Sequence, residues 1–221
     1  MQIQKALNII TPAILSVIGC GGKTSLIKLL AASYPNKRIL ISPTTKMFPV
    51  DIPNADNPGR LNPTTGKLEA LPPEKLAELI PDYDITLLEA DGSRGLPCKG
   101  WLENEPVIPD YSTHTIGVLP ITALGQNATE EHVHNLQRFL ELTGLKEGQQ
   151  ITADALQRMI FAHNGMFKNS VGKRVILVNQ VEEKSTKKSA KQFCRQIRQT
   201  DPLFFEKILY GSVCNNVCNE A

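Results

Sequence analysis

The sequence predicts an α/β fold, a three-layer sandwich in which a mostly parallel central sheet lies between two layers of helices. Three observations lead to this prediction. Short apolar runs of strand length alternate with segments in which apolar residues recur at helical spacing. The first apolar run ends in a glycine-rich turn, and a helical pattern follows at once. The strand segments are continuously apolar, which is typical of a parallel sheet covered on both faces.

Strands are predicted where a short apolar run is bounded by glycine, proline or polar residues. In chain order these runs occupy residues 14–18, 38–42, 85–90, 115–119, 174–181 and 207–213. A polar tail is predicted after the last of them.

Helices are predicted where apolar residues recur three or four positions apart, with proline, threonine and glycine at the ends. In chain order they occupy residues 4–10, the segment after the glycine-rich turn, and segments that begin at Pro73, at Thr129, at Thr152 and after the 174–181 strand. Thr129 is expected to cap its helix, because two glutamates follow in the first turn. The consecutive helices within 129–165 predict a small helical insertion.

The segment 47–73 differs in composition from the rest of the chain. Six prolines interrupt it, and the sequence NPTTG at 62–66 is typical of a turn between short extended pieces. No residue of this segment is expected in the core. We interpret it as a mobile flap or a hairpin that faces a partner.

Length and composition favour one domain spanning residues 1–221, with a core that needs no disulfide or metal. A net charge of +2, from 24 basic and 22 acidic residues, gives no argument for binding nucleic acid or a membrane. The five cysteines include no CxxC pair, and the chain shows no signal-peptide pattern or membrane-length apolar run. A cytoplasmic location with free thiols is therefore expected.

The strongest functional motif is LSVIGCGGKTSLI at residues 15–27. A strand, a glycine-rich turn and a helix that opens with Lys-Thr are typical of a phosphate-binding loop, in which backbone amides and the helix dipole hold phosphate oxygens. Lys23 is expected to reach the β- and γ-phosphates, and the Thr24 hydroxyl to hold Mg²⁺. The predicted nucleotide-binding residues of this loop are Gly19, Cys20, Gly21, Gly22, Lys23, Thr24 and Ser25.

The loop is shorter than usual. The common spacing would require a glycine at Val17, whereas the first glycine here is Gly19. A shortened loop of this type also occurs in the ATP-dependent amide ligases of bacterial cell-wall synthesis. The alternative is a glycine-rich turn that caps a helix and holds no ligand.

A second candidate group is the acid pair at the end of the 85–90 strand. Asp91 is the preferred ligand for the metal or one of its waters, because a carboxylate after an apolar strand is what nucleotide-bound Mg²⁺ needs. Glu89 lies two residues earlier, and we predict a catalytic role for it in orienting the attacking water. The alternative is an exposed pair of strand-end acids.

Two further positions follow strands at the same predicted edge of the sheet. Thr44, Thr45 and Lys46 come just after the 38–42 strand, where ligands of open α/β sheets bind, and they are candidates to face the γ-phosphate, with Thr45 as a candidate to position the attacking water. Their alternative is a solvated polar loop. Asn179 stands where guanine-specific NTPases carry Asn-Lys-x-Asp and is predicted to contact the base. The role of Trp101, in the loop after Asp91, stays open between partner contact and packing.

Together these motifs resemble a bacterial family of selenium-dependent molybdenum hydroxylase accessory proteins, the YqeC type. The resemblance is carried by VIGCGGKT at 17–24, the two threonines at 44–45, EADGSR at 89–94 with Pro97 and Lys99, and EPVIP at 105–109, and it continues to Asn179. The chain departs from the family pattern at Asn104, where histidine is expected. It also departs at 179–182, which are Asn-Gln-Val-Glu and not Asn-Lys-x-Asp.

The resemblance implies a P-loop NTPase fold and a role in the maturation of a molybdenum-containing hydroxylase. From the motifs themselves we predict a Mg²⁺-dependent ATP- or GTP-binding protein, expected to be a slow NTPase. The resemblance implies a partner among the molybdenum hydroxylases or their cofactor-maturation proteins. The chain also looks distantly similar to the GTPases that help insert nickel into metalloenzymes. Two alternatives stay open: a kinase or ATP-dependent ligase acting on a small molecule, and a non-catalytic nucleotide-binding scaffold.

Overall fold

The computed structural model describes all 221 residues. Six α-helices, α1 to α6 in chain order, span Ile3–Leu7, Lys23–Ser33, Pro73–Leu79, Leu136–Thr143, Ala153–Phe161 and Lys184–Thr200. Twelve strands, β1 to β12, span Ala13–Gly19, Ile39–Pro43, Lys46–Met47, Ala55–Asp56, Leu68–Glu69, Ile85–Glu89, Cys98–Lys99, His114–Pro120, Val133–His134, Lys173–Asn179, Lys207–Ser212 and Val217–Glu220. None of the helices combines the length and the apolar character needed to cross a membrane.

Eight strands form one central sheet in the order β12-β11-β10-β8-β1-β6-β2-β4. Every neighbouring pair is parallel except β11 and β12. Residues of the strands enter two large apolar clusters, one packed on α1 and α2 and the other on α4, α5 and α6. A third, small cluster joins Leu40 and Leu88 of the sheet to Leu76 of α3. The predicted α/β sandwich with a mostly parallel sheet is confirmed.

All six predicted strands are present, with ends that shift by one or two residues. The helix predicted from Pro73 is also present, and Thr152 caps α5 by accepting a hydrogen bond from the Ala155 amide at 3.2 Å. Helices α4 and α5 lie between β8 and β10, where the helical insertion is predicted. The parallel order places the carboxyl ends of β1, β2, β6 and β10 at one edge of the sheet.

The segment 47–73 is more integrated than expected. Its strand β4 pairs in parallel with β2 and so extends the main sheet. Met47, Val50 and Leu68 are buried, so the expectation that the segment contributes nothing to the core is wrong. Strands β3 and β5 pair as an antiparallel hairpin, with the Asn62 side chain accepting from the Thr64 and Thr65 amides in its turn. That the segment is mobile or faces a partner stays a prediction.

Two other sequence-based assignments are wrong. Thr129 does not cap a helix, because residues 133–134 form β9 and pair with β7, and Asn135 has a φ of 55° that separates β9 from α4. The C-terminal residues are not a tail. They form β12, which pairs with β11 and buries only Cys218 of its four residues. In both places long-range strand pairing overrides the local polar pattern.

Candidate functional site

The glycine-rich loop joins β1 to α2 at the edge of the sheet. Gly19, Gly21 and Gly22 have φ values of 97°, 65° and 131°, a region that side-chain-bearing residues rarely adopt. A Cβ atom would also collide with the ring of Pro120 at Gly21 and with the Asn179 amide nitrogen at Gly22. The loop therefore requires glycine for its backbone angles and for close packing against β8 and β10.

Asn179 holds this loop from the end of β10. Its side-chain nitrogen donates to the Gly21 carbonyl at 2.8 Å, and its side-chain oxygen accepts from the Val213 amide at 2.9 Å. The residue is 4% exposed. The predicted contact with a base stays a prediction, but these bonds favour Asn179 as an anchor of the loop, because both ends of its amide are occupied.

Gly22→Ala is expected to lower the free energy of unfolding by about 1–3 kcal/mol, the cost of forcing a side-chain-bearing residue into such backbone angles. The collision with Asn179 adds to this cost. Gly66→Ala is the matched control, because Gly66 has a φ of 64° but a Cβ added there would meet no heavy atom within 4 Å. Thermal unfolding of both variants tests this prediction, and equal loss of stability would contradict it.

Asp91 lies beneath the loop and is fully buried. The Gly19 amide donates to its two oxygens at 3.1 and 3.0 Å, and the Trp101 indole nitrogen donates to Oδ2 at 2.8 Å. The Lys23 ammonium lies 3.3 Å from Oδ1. The carboxylate is thus surrounded by protein donors, and Trp101 has a packing and hydrogen-bonding role within the fold.

The Lys23 ammonium is held inside the loop. It donates to the Gly19 carbonyl at 2.7 Å and to the Ser93 hydroxyl at 3.4 Å, in addition to the ion pair with Asp91. Burial by itself lowers the pKa of Lys23, but the neighbouring carboxylates Asp91 and Glu89 more than offset this effect, so the pKa is raised. The lysine is therefore charged at neutral pH.

Glu89 and Thr24 meet at the first turn of α2. The Thr24 hydroxyl donates to Glu89 Oε2 at 2.6 Å. Burial raises the pKa of Glu89, and the attraction of Lys23 opposes this effect only in part. A hydroxyl and a carboxylate are the oxygen ligands that Mg²⁺ prefers, and Mg²⁺ bound with phosphates needs only one or two from the protein.

These contacts bear on the predicted metal ligands. Thr24 lies in the first turn of α2, and its carboxylate partner is Glu89 and not Asp91. No group of three or more His, Cys, Asp or Glu side chains is arranged to hold a metal ion. The metal roles of Thr24 and Asp91 stay predictions, and the geometry favours Glu89 over Asp91 as the carboxylate ligand.

An open cleft of about 630 Å³ lies over the loop. Glu89 is the one acidic residue that lines it, whereas several lining residues are cationic. The cations are Lys23, Lys46, Lys67 and Arg94. The cleft thus combines a helix N-terminus with an excess of positive charge, which suits a polyanionic ligand.

The other three predicted residues, Ser25, Cys20 and Thr45, differ in their access to the cleft. Ser25 lines the cleft next to Thr24. Cys20 is buried instead, and burial raises the pKa of its thiol to about 12, so it offers no thiolate at neutral pH. Thr45 does not line the cleft, and its buried hydroxyl has no hydrogen-bond partner. The catalytic role of Thr45 stays a prediction without a supporting contact.

Lys99 is a fully buried residue to which no single sequence pattern assigns a role. Its ammonium donates to the Gly92 carbonyl at 2.6 Å and to Glu105 Oε2 at 2.9 Å, and it lies 5.7 Å from the Trp101 ring centroid. Lys99 therefore braces the loop that follows Asp91. The signal that could have found it is its place in the resemblance, between the EADGSR and EPVIP motifs.

Comparison with known proteins identifies the family of the chain but no activity. The family model described as YqeC protein matches residues 15–137. The chain is 31% identical over 218 residues to the Escherichia coli K12 protein named "Uncharacterized protein YqeC", a match that covers 86% of this chain and 84% of that protein. No solved structure gives a significant match. The family match includes the glycine-rich loop, the acid pair and the Lys99 brace.

Proposed function

The chain belongs to the YqeC family, and from this premise we propose that it is a Mg²⁺-dependent nucleoside-triphosphate-binding protein that hydrolyses ATP or GTP slowly. The name of the relative states no activity, and the support comes from the geometry of the site. The observation that supports it most is the 2.6 Å contact between the Thr24 hydroxyl and Glu89, placed where a glycine-rich loop opens α2. A turn that only capped a helix would need no such pair.

The loop supplies the groups that hold the phosphates. Its backbone amides and the N-terminus of α2 offer donors and partial positive charge to phosphate oxygens. The Lys23 ammonium is already within the loop, with three protein partners that a phosphate oxygen can replace in part. Asp91 keeps that ammonium in place and fixes the Gly19 amide, so its role is to position the loop.

Thr24 and Glu89 are the residues that would hold Mg²⁺. The bound ion would neutralise charge on the β- and γ-phosphates and so favour phosphoryl transfer. Holding the ion requires Glu89 to be ionised and Thr24 to turn its hydroxyl lone pair outward.

Slow turnover is expected because no second carboxylate lines the cleft. Glu89 is the only carboxylate in the lining, and it cannot both hold a metal and accept a proton from the attacking water. Catalysis would then depend on positioning and on charge stabilisation by Lys23 and the loop amides. We infer that fast turnover needs a group from a partner.

The resemblance supplies the biological setting. We propose that the slow hydrolysis times the transfer of a cofactor or the release of a partner during maturation of a selenium-dependent molybdenum hydroxylase. The second candidate is a kinase or ligase acting on a small molecule. One specific observation favours it: the cleft extends past the glycine-rich loop to the β3–β5 hairpin, whose residues Lys46, Phe48 and Lys67 form a wall that a triphosphate alone does not need.

Calorimetric titration of the intact chain with Mg·ATP and Mg·GTP tests the nucleotide proposal. We expect saturable single-site binding of at least one of them, loss of binding when Mg²⁺ is chelated, and slow phosphate release without an added acceptor. Tight binding without turnover, even with a partner hydroxylase present, would support the scaffold alternative. Absence of binding to both nucleotides would refute the proposal.

A further inference from the structure

The far wall of the cleft is formed by residues outside the phosphate loop. The β3–β5 hairpin contributes Lys46, Phe48 and Lys67, and the loop after β6 contributes Arg94. None of the three cations forms an ion pair with another residue of the chain. The wall therefore presents free positive charge to whatever enters the cleft.

The sheet order determines which end of a nucleotide would face this wall. Strands β6 and β2 lie on one side of β1, and β8 and β10 lie on the other. The Thr24–Glu89 pair is on the β6 side, and the lysine and threonine of such a loop address the β- and γ-phosphates and the metal. The γ-phosphate would thus point toward the hairpin, and the nucleoside toward Gln180 at the end of β10.

The composition of the wall does not match a triphosphate alone. Phe48 is 56% exposed, and the Lys67 ammonium lies 5.0 Å from its ring centroid. Phosphate groups offer no surface to a phenyl ring, whereas a planar aromatic compound can stack on it. The Lys67 ammonium, which lies over the Phe48 ring, then suits a negative group on the same compound.

Arg94 supports the same interpretation through its backbone. It has a φ of 52°, and the next residue, Gly95, has a φ of 78°. A non-glycine residue in this region carries a conformational cost, and such costs concentrate at ligand-binding loops. Here the turn presents the exposed Arg94 side chain to the cleft that Phe48 also lines.

We propose that this wall, formed by Lys46, Phe48, Lys67 and Arg94, is a second-substrate subsite for a planar aromatic or heteroaromatic compound that carries a phosphate or carboxylate group. The inference rests on the proposed function, because the γ-phosphate defines the near side of the subsite. It identifies the substrate class that a kinase or ligase reaction at this site would use.

The test uses 1-naphthyl phosphate as the probe, with 1-naphthol and inorganic phosphate as its two separate halves. Each is titrated into the intact chain, with and without a saturating Mg·nucleoside diphosphate (Mg·ADP or Mg·GDP, whichever binds), and binding is followed by calorimetry. We expect 1-naphthyl phosphate to bind at least about tenfold more tightly than either half, because it engages the ring and the cations together. Equal affinity for 1-naphthyl phosphate and inorganic phosphate would overturn the proposal.

Four variants assign the binding to the wall. Phe48→Ala and Lys67→Gln should each weaken 1-naphthyl phosphate binding about five- to tenfold, the loss of one stacked or charged contact. Leu203→Ala and Lys187→Gln, which change exposed residues elsewhere, are the matched controls. Losses no larger than those of the controls would refute the subsite.

Failure of the subsite and failure of the proposed function remain distinguishable. Titrations with Mg·ADP alone and with Mg·GDP alone test nucleotide binding in the same samples. If neither binds, the nucleotide proposal fails, and the probe titration of the nucleotide-free chain still decides whether the wall binds its ligand class.

Discussion

Lys23→Ala is expected to lower the affinity for Mg·ATP or Mg·GTP by about 100-fold or more. The ammonium would make charge-assisted hydrogen bonds to phosphate oxygens, each worth about 1.5–3 kcal/mol. Two such bonds correspond to at least about two orders of magnitude in affinity. Calorimetric titration of the variant against the unaltered chain measures the change.

The same substitution is expected to destabilise the fold. Lys23 is 5% exposed and its partner Asp91 is fully buried. Removing one member of a buried ion pair leaves an uncompensated charge and typically costs about 3–5 kcal/mol. A loss of nucleotide binding by Lys23→Ala alone would therefore have two explanations, a missing phosphate contact and a disrupted loop.

A double variant separates these explanations. Asp91→Asn added to Lys23→Ala removes the unpaired charge while keeping an oxygen that can accept from the Gly19 amide and the Trp101 indole. We expect it to regain much of the free energy of unfolding and none of the nucleotide affinity. Trp101, the only tryptophan of the chain, reports unfolding by fluorescence. If Lys23→Ala binds nucleotide as tightly as the unaltered chain, the proposal that the glycine-rich loop holds the phosphates is refuted.

The fold could be predicted from the sequence because its strands are continuous apolar runs. The glycine-rich turn between β1 and α2 could be predicted because its glycines and Lys-Thr are adjacent in the sequence. The failures involve pairings that no local pattern specifies. Residues 129–134 have an N-cap and two glutamates typical of a helix start, but pairing of β9 with β7 prevails. Strand β4 is short and polar, and it belongs to the sheet only through β2.

The acid pair shows why a site is harder to predict than a strand. Side-chain alternation would place Glu89 and Asp91 on the same face if the strand continued through Asp91. However, β6 ends at Glu89. Beyond that residue the loop turns Asp91 inward, to the Gly19 amide and Trp101, and leaves Glu89 beside Thr24. The sequence indicates the residue types, whereas the direction of each carboxylate depends on the loop.

The pKa of Glu89 has consequences for pH dependence and for stability. Burial raises it above the value in the unfolded chain. The folded state thus binds this proton more tightly, and ionisation of Glu89 lowers the free energy of unfolding as the pH rises through its pKa. Metal binding requires the ionised form, so the Mg²⁺ requirement should ease over the same rise in pH.

Glu89→Gln is expected to raise the Mg²⁺ concentration needed for nucleotide binding by about 100-fold, because even outer-shell partners of a metal contribute 10–100-fold to its affinity. Hydrolysis should fall at least as much. The fold should not lose stability, since the amide can still accept from the Thr24 hydroxyl and carries no buried charge.

Asp91→Asn is the comparator. We expect it to lower the free energy of unfolding, through the lost ion pair with Lys23, and to change the Mg²⁺ requirement far less. Mg²⁺ titrations at fixed nucleotide, paired with thermal unfolding of both variants, decide between the two carboxylates. A larger increase in the Mg²⁺ requirement for Asp91→Asn than for Glu89→Gln would return the metal to Asp91 and leave Glu89 to orient the water.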